Sequence, residues 1–377
     1  MAQPTGTRRP SRGPGVRVAT IAGVPVYIGG SWALIAVVLI ALIGPSIAQS
    51  RPDLGILAYG VAAVMALQLL VAVLVHEAAH AIAARAFGLP VLRVVADLWG
   101  GHTAFESGRS TPGAAAVIAA VGPLANGVLA LLAWLALQTG PTGIPDTLLG
   151  GFAVLNAALA AFNLLPGLPL DGGQLVESLV WKVTGSRPRG MVVAGWCGRV
   201  VTGLVILYVL GRPLAMGRQL DLFDIGWAAF IALFMWAGAS GAIRGGQVLA
   251  AVQQVSVAEV LKRALGASEW ERLDTVLDRW VPGEVVVVLD RSGRPTALVE
   301  PEAVGRVPHG RHGETDLSAV SRPQPPGWAV EASPGDDIVP VITAMQTLGT
   351  PLVAVTHQGR FLGIVTAEDV NRAVERV

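Results

Sequence analysis

Six long stretches of the chain carry almost no polar side chain, and their lengths suit bilayer spans better than buried core helices. Runs of about 20 apolar residues fall near residues 28–47, 55–86, 113–138, 147–166, 192–211 and 222–243. The second is long enough to extend beyond the hydrocarbon or to tilt. The fourth ends against Pro166 and Pro169, which break a helix. After Gly246 the pattern changes. From about residue 254 charges return, helices become amphipathic, and short Val-rich strands appear at Val285–Leu289 and Leu352–Val355. A stretch rich in Pro, Arg and Gly, Val307–Gly327, separates two halves that look like a weak internal repeat. Each half reads as helix, strand, turn, strand and helix, with turns at Arg291-Ser-Gly293 and His357-Gln-Gly359. The pattern predicts a tail over 1–20, a six-helix membrane domain over 21–246 and a soluble α/β domain over 254–377.

Composition points the same way: 53% of residues are hydrophobic and only 14% charged, which suits a lipid solvent better than water. The net charge of +1, without a sustained basic stripe, argues against a nucleic-acid partner. A single cysteine, Cys197, excludes an internal disulfide framework. Arg8, Arg9, Arg12 and Arg17 lie in a Pro/Gly-rich tail, read as disordered and as an orientation signal. With that tail cytoplasmic, the inner loops hold Arg85, Arg93, Arg109, Lys182, Arg187 and Arg189, and the outer loops Arg51, Arg212 and Arg218. The positive-inside rule then places both termini of a multi-pass cell-membrane protein in the cytoplasm. The first apolar span is full length and lacks a small-residue cleavage site, so no cleavable signal peptide is expected. High Ala, Gly, Arg and Trp usage with few Lys suggests a GC-rich bacterial genome.

The charged groups inside the spans carry the chemistry. His76-Glu77-Ala78-Ala79-His80 sits in the second span with only apolar residues on either side. An ionisable side chain near the bilayer centre costs on the order of 2.5 kcal/mol or more, so three together call for a reason. Positions i and i+4 share one helix face, so both imidazoles can reach one zinc ion while Glu77 points beside it toward a bound water. In a soluble helix the same pattern can be ordinary surface chemistry, but here no solvated face is available. Two histidines leave zinc short of a ligand. Asp171, at the end of Asn163-Leu-Leu-Pro-Gly-Leu-Pro-Leu-Asp171-Gly-Gly, can complete the set; it can equally be the N-cap of a helix starting near Gln174.

These motifs together resemble the site-2 protease family of intramembrane zinc metalloproteases. His76 to His80 resembles its first zinc motif, and Asn163 to Gly173 its second, Asn-x-x-Pro-x-x-x-x-Asp-Gly. Gly122-Pro123-Leu124-Ala125-Asn126 looks like the Gly-Pro-x-x-Asn segment of the family's third helix. Leu98-Trp99-Gly100-Gly101 resembles the loop that dips toward the membrane after the zinc helix. The resemblance covers roughly residues 18–245 and implies a three-helix catalytic core inside six helices. It makes His76, His80 and Asp171 ligands of one Zn2+ and Glu77 the general base and acid. Asn163 is either a hydrogen-bond partner of the substrate carbonyl or an amide bridging broken backbone. Asn126 and Pro123 are expected to pack and shape helices rather than take part in chemistry. Many relatives carry a histidine near Gly30, which is not a zinc ligand, and His102 is an added loop histidine with no expected role.

The closing segment Gly359-Arg-Phe-Leu-Gly-Ile-Val-Thr-Ala-Glu-Asp369-Val resembles a CBS motif, a tandem pair of which is appended to one site-2 protease subgroup. In CBS modules that bind adenine nucleotides, this Thr and Asp commonly contact phosphate and ribose, which implies Thr366 and Asp369. The first half has only Ala297-Leu-Val-Glu-Pro-Glu-Ala303 at the matching place, without Thr or Asp, so at most one intact nucleotide site is expected. The other role is a ligand-free module that pairs two chains into a homodimer. The family likeness implies an endopeptidase acting on a single-span membrane protein, often an anti-sigma factor or membrane-bound regulator. A receptor or scaffold with a structural zinc, and a transporter, are the competing classes. A complete ligand set with Glu77 retained argues against the first, and a single broken segment against the second.

Overall fold

A computed structural model describes residues 15–21, 23–97, 100–105 and 110–376. Most of the expected tail, and Leu98 and Trp99 of the dipping loop, lie outside the described residues. The chain divides into two compact units, Met1–Gly246 and Gln247–Val377.

The first unit opens with a strand where a tail was expected to run through residue 20. β1 (Val16–Ile21) pairs antiparallel with β2 (Val24–Ile28), because Val-Arg-Val and Val-Pro-Val alternate as a pleated strand requires. α1 (Ser31–Ser50) and α2 (Leu57–Ala86) follow, then β3 (Val91–Asp97) parallel to β2 and β4 (Gly100–Phe105) antiparallel to β3. The sheet order is β1-β2-β3-β4. Val24, Val26 and Val94 bury their side chains against Ala81 of α2, so the sheet braces the end of the helix that carries the histidines.

α3 (Pro112–Leu137) begins on Thr111, whose hydroxyl accepts from the Ala114 N–H, with Pro112 at the first turn where its missing N–H is harmless. α4 (Ile144–Asn163), α5 (Asp171–Thr184), α6 (Arg187–Ala215) and α7 (Leu222–Gln254) complete the unit's helices. α1, α2, α3, α4, α6 and α7 are each long and apolar enough to cross a membrane. α5, with 14 residues, extends only about 21 Å and is too short to span. Leu34, Val37, Leu67, Leu131 and Leu207 lie exposed on the spanning helices, a pattern that suits a hydrocarbon solvent. α7 continues well past the expected end near 243, through Val248 and Leu249 to Gln254.

Between α4 and α5 the backbone unwinds, as Pro166 and Pro169 require, yet its polar groups find partners. The Leu168 N–H donates to Ala194 O of α6 at 3.1 Å, and Leu170 N–H to Gly167 O at 3.0 Å. Such a segment is tolerated at membrane depth only where protein surrounds it. Here α6 comes close enough that a Cβ on Gly198 would stand 2.0 Å from Leu168 O.

The second unit holds the repeat. α8 (Val257–Val260) leads into β5 (Leu265–Ser268), α9 (Leu273–Leu277), β6 (Val286–Leu289), β7 (Pro295–Val299), α10 (Pro301–Gly305) and β8 (Ser321–Pro323). β9 (Ala329–Glu331), α11 (Val339–Leu348), β10 (Leu352–His357), β11 (Arg360–Thr366) and α12 (Ala367–Val374) form the other half. Each half has a parallel pair followed by an antiparallel hairpin: β5 with β6 and β7, β9 with β10 and β11. Gln358 and Gly359 both take positive φ, as a two-residue hairpin turn needs. The Pro-rich stretch between the halves contains short 3-10 turns at His309–Glu314 and Leu317–Val320. Val287 packs with Ala354 and Ile364, joining the two sheets in one core.

Candidate metal centre

α2 presents His76 and His80 one turn apart, and Asp171 reaches them from the first turn of α5. All three are less than a tenth exposed. His76 Nε2 lies 3.0 Å from His80 Nε2 and 3.0 Å from Asp171 Oδ2, and His80 Nε2 lies 3.5 Å from the same oxygen. Asp171 is the first residue of α5 and Leu170 its N-cap, with no side-chain cap. The capping alternative for Asp171 therefore falls away, and its carboxylate is turned to the histidines.

The outer hydrogen bonds decide what those three atoms are. His80 Nδ1 stands 2.6 Å from Ile118 O, a carbonyl that can only accept, so Nδ1 carries the proton. His76 Nδ1 stands 2.6 Å from Asn126 Oδ1. The Asn126 amide is itself oriented: its Nδ2 donates to Ala72 O and to Asn156 Oδ1, and Asn156 Nδ2 donates to Phe152 O. Carbonyls at both ends of this chain fix each amide, leaving Asn126 Oδ1 as the acceptor of the His76 Nδ1–H. Both imidazoles then offer bare Nε2 lone pairs to the same point, which neutral histidines do not do without a reason.

Two nitrogen lone pairs and a carboxylate oxygen facing one another at 3.0–3.5 Å repel unless a proton or a metal cation lies among them. Asp171 Oδ2 is also buried, and with both Nε2 atoms bare it has no hydrogen-bond donor. Donors about 2.0–2.2 Å from a tetrahedral zinc stand roughly 3.3–3.6 Å apart, so a triangle with edges of 3.0, 3.0 and 3.5 Å needs to open by only a few tenths of an ångström on two sides to take that ion. Among the described residues, His76, His80 and Asp171 form the one group with metal-ligand character. Gly122 leaves room for it: a Cβ there would stand 2.3 Å from His80 Nε2 and 2.7 Å from His76 Cε1. The first glycine of Gly122-Pro123-Leu124-Ala125-Asn126 thus admits the histidines and the asparagine orients one of them. Asn126, expected to pack and shape its helix, also hydrogen-bonds His76 from a position 50 residues along the chain. Asn156 was missed altogether.

Glu77 is buried beside the histidines on α2. Asn163 closes α4, half-buried at the start of the unwound segment. Gly30 directly precedes α1, and His102 falls in β4.

In the second unit Thr366 caps α12, accepting the Asp369 N–H and donating its hydroxyl to Asp369 Oδ2. Asp369 Oδ1 pairs with Lys262 Nζ at 2.8 Å. Burial pushes the Asp369 carboxyl up, but the Lys262 ammonium and the Thr366 hydroxyl outweigh it and hold the group below the usual 3.8. A cleft of about 980 Å³ opens between the two halves instead, lined by Val286, Leu298, Glu300, Pro301, Arg322 and Leu352 among others.

The profile of peptidase family M50 matches residues 64–148 and 141–210, the stretch that holds both histidines, Asn126 and Asp171. The chain is 32% identical over 323 residues to Rip3 of Mycobacterium tuberculosis, covering 82% of this chain and 80% of that one. It is 32% identical over 236 residues to sll0528 of Synechocystis, covering 62% of this chain and 61% of that protein's length. Both carry the provisional name zinc metalloprotease. Among solved structures, a site-2 protease from Methanocaldococcus jannaschii matches at 22% identity and TM-score 0.42, over 61% of this chain and 95% of that one. The CBS domain of a membrane protein from Sphaerobacter thermophilus matches at 21% identity and TM-score 0.28, over 36% of this chain and 96% of that one. The profile match and the extent of identity to Rip3 agree with the ligand set: the chain belongs to peptidase family M50, metalloendopeptidases of the site-2 type.

Proposed function

We propose that the chain is a zinc-dependent intramembrane endopeptidase that hydrolyses a peptide bond in a transmembrane segment of another membrane protein. The observation that carries this is the convergence of His76 Nε2, His80 Nε2 and Asp171 Oδ2 within 3.5 Å, inside a unit whose helices are built for lipid. Zinc held there supplies Lewis acidity to the scissile carbonyl and acidifies the attacking water. Asn126 and Ile118 O keep the imidazoles in the tautomer that leaves Nε2 free. Glu77, adjacent to His76, takes the proton of the water and returns it to the leaving amine. Asn163, at the mouth of the unwound segment, hydrogen-bonds the substrate carbonyl. The substrate span must unwind locally to offer its amide, and protein must satisfy the groups so freed.

The substrate class is a single-span protein such as an anti-sigma factor or membrane-bound regulator, cut in regulated intramembrane proteolysis. Both termini lie in the cytoplasm of a bacterial cell. The second unit is a CBS pair acting as a regulatory or dimerisation module. Chain pairing is favoured over an adenine nucleotide at Thr366 and Asp369, because both side chains are already engaged with each other and with Lys262. The test is Glu77→Gln in cells, which leaves all three metal donors in place. The expected result is one zinc per chain as in wild type, no turnover, and accumulation of an uncut single-span protein. Undiminished turnover contradicts the reading, and a wild type that holds zinc but never cleaves would favour a receptor.

A further inference from the structure

Arg199 lies in the middle of α6, twelve residues from its start at Arg187. Its Nη2 donates to Ser240 Oγ of α7 at 3.1 Å. The guanidinium carbon stands 4.6 Å from the Trp196 ring centroid and 4.9 Å from that of Trp236, one indole from each helix. Those indoles are 54% and 51% exposed, so they cover the cation on the lipid side with their π faces. Nothing in the hydrolytic chemistry uses a charge here, and an intramembrane arginine without a role is not expected.

Its neighbours point to the role. Gly198, the preceding residue, is the point where α6 touches Leu168 O, and Ala194 O of the same face accepts the Leu168 N–H. On α7, Gly238, two residues before Ser240, packs against the Pro169 ring, where a Cβ would stand 2.6 Å from its Cγ. Leu168 and Pro169 are thus held between two helices, and Asp171 follows two residues later. A guanidinium has few favourable settings in hydrocarbon, so the hydrogen bond to Ser240 and the two indoles fix the rotation of α6 and its distance from α7.

We infer that Arg199 is a positioning residue for the metal centre: by clamping α6 to α7 it sets Leu168–Pro169 and, through them, Asp171. This rests on the reading of His76, His80 and Asp171 as a zinc site. Rotation of α6 away from the seam would let the unwound segment relax and carry the carboxylate off the line of the two Nε2 atoms.

The test uses the full chain purified in detergent, with Arg199→Gln, Arg199→Lys and Ser240→Ala beside wild type and Asp171→Ala. Three quantities are read: thermal midpoint of the metal-free protein, Zn2+ affinity by chelator competition, and the visible absorption of the Co2+-loaded protein. Arg199→Gln is expected to weaken Zn2+ by about tenfold or more, as loss of support for a ligand does, and to alter the Co2+ bands. Arg199→Lys, which keeps the charge, should lie closer to wild type. Ser240→Ala removes only the hydrogen bond and should shift the Co2+ bands in the same direction; it carries the test if Arg199→Gln does not fold. Wild-type Co2+ bands and Zn2+ affinity in Arg199→Gln and Ser240→Ala, with Asp171→Ala losing the metal, overturn the inference and leave the zinc site standing. A lowered metal-free midpoint with unchanged bands likewise overturns it, as a purely structural arginine. A folded wild type that takes up neither metal overturns the zinc reading and this inference together.

Discussion

Asn126 and Gly122 are four residues apart on α3, and each answers a different need of the histidines facing them. The Asn126 amide dictates which His76 nitrogen is bare, so Asn126→Ala should lower zinc affinity by roughly 10–100-fold with the fold kept. Chelator competition on the purified variant would measure this; unaltered affinity would mean the tautomer needs no support. Gly122→Ala places a methyl where His80 Nε2 stands. Alanine favours the helix more than glycine, so metal content should fall while circular dichroism retains the wild-type helix signal. The spacing of His76, Glu77 and His80 was legible in sequence because a single helix sets it. The roles of Asn126 and Asn156 were not, because they arise only where α3 and α4 pack beside α2. Asp171 was legible as a ligand or a cap; its place as first residue of α5, 3.0 Å from His76 Nε2, supports the ligand.

Helices of twenty or more apolar residues announce themselves, and the six spans were legible for that reason. β1, β3 and β4 of the first unit were not, being six or seven residues long. Their alternation, as in Val16-Arg-Val-Ala, was readable but lay beside a tail whose prolines and arginines dominated the pattern. The break at Pro166 and Pro169 was legible, but not its enclosure by α6. That enclosure depends on a missing side chain: Gly198→Ala should destabilise the protein by about 1–3 kcal/mol, the usual range for an overpacked site. A lower thermal midpoint in detergent, with increased proteolysis at Leu164–Leu170, is the expected outcome. An unchanged midpoint would mean that α6 does not hold the segment.

Over the whole chain, two solvents divide the sequence, and composition alone located the change near residue 246. The repeat in the second unit was visible in its hairpin turns and strands. Its interlocking was not: Val257 and Val260, at the head of the first half, are buried in the core of the second with Val341, Val353 and Val365. Lys262 then meets Asp369 across that junction. The Asp369 carboxyl titrates below its unfolded value, so the stability it contributes is present above about pH 4 and lost as pH falls through the folded value. Hydrogen exchange in α12, relative to the intrinsic rate at each pH, should therefore quicken as pH falls below about 4, and Lys262→Ala should move that onset to higher pH. An onset indifferent to Lys262 would show the pair to be incidental.

The central claim is that three side chains from two separate helices hold one catalytic zinc within the membrane. Metal content of the detergent-purified protein, with His76→Ala and Asp171→Ala beside wild type, tests it most directly. The prediction is about one zinc per wild-type chain, lost or sharply weakened in both variants. A folded wild type without zinc, or zinc binding indifferent to both substitutions, would contradict it.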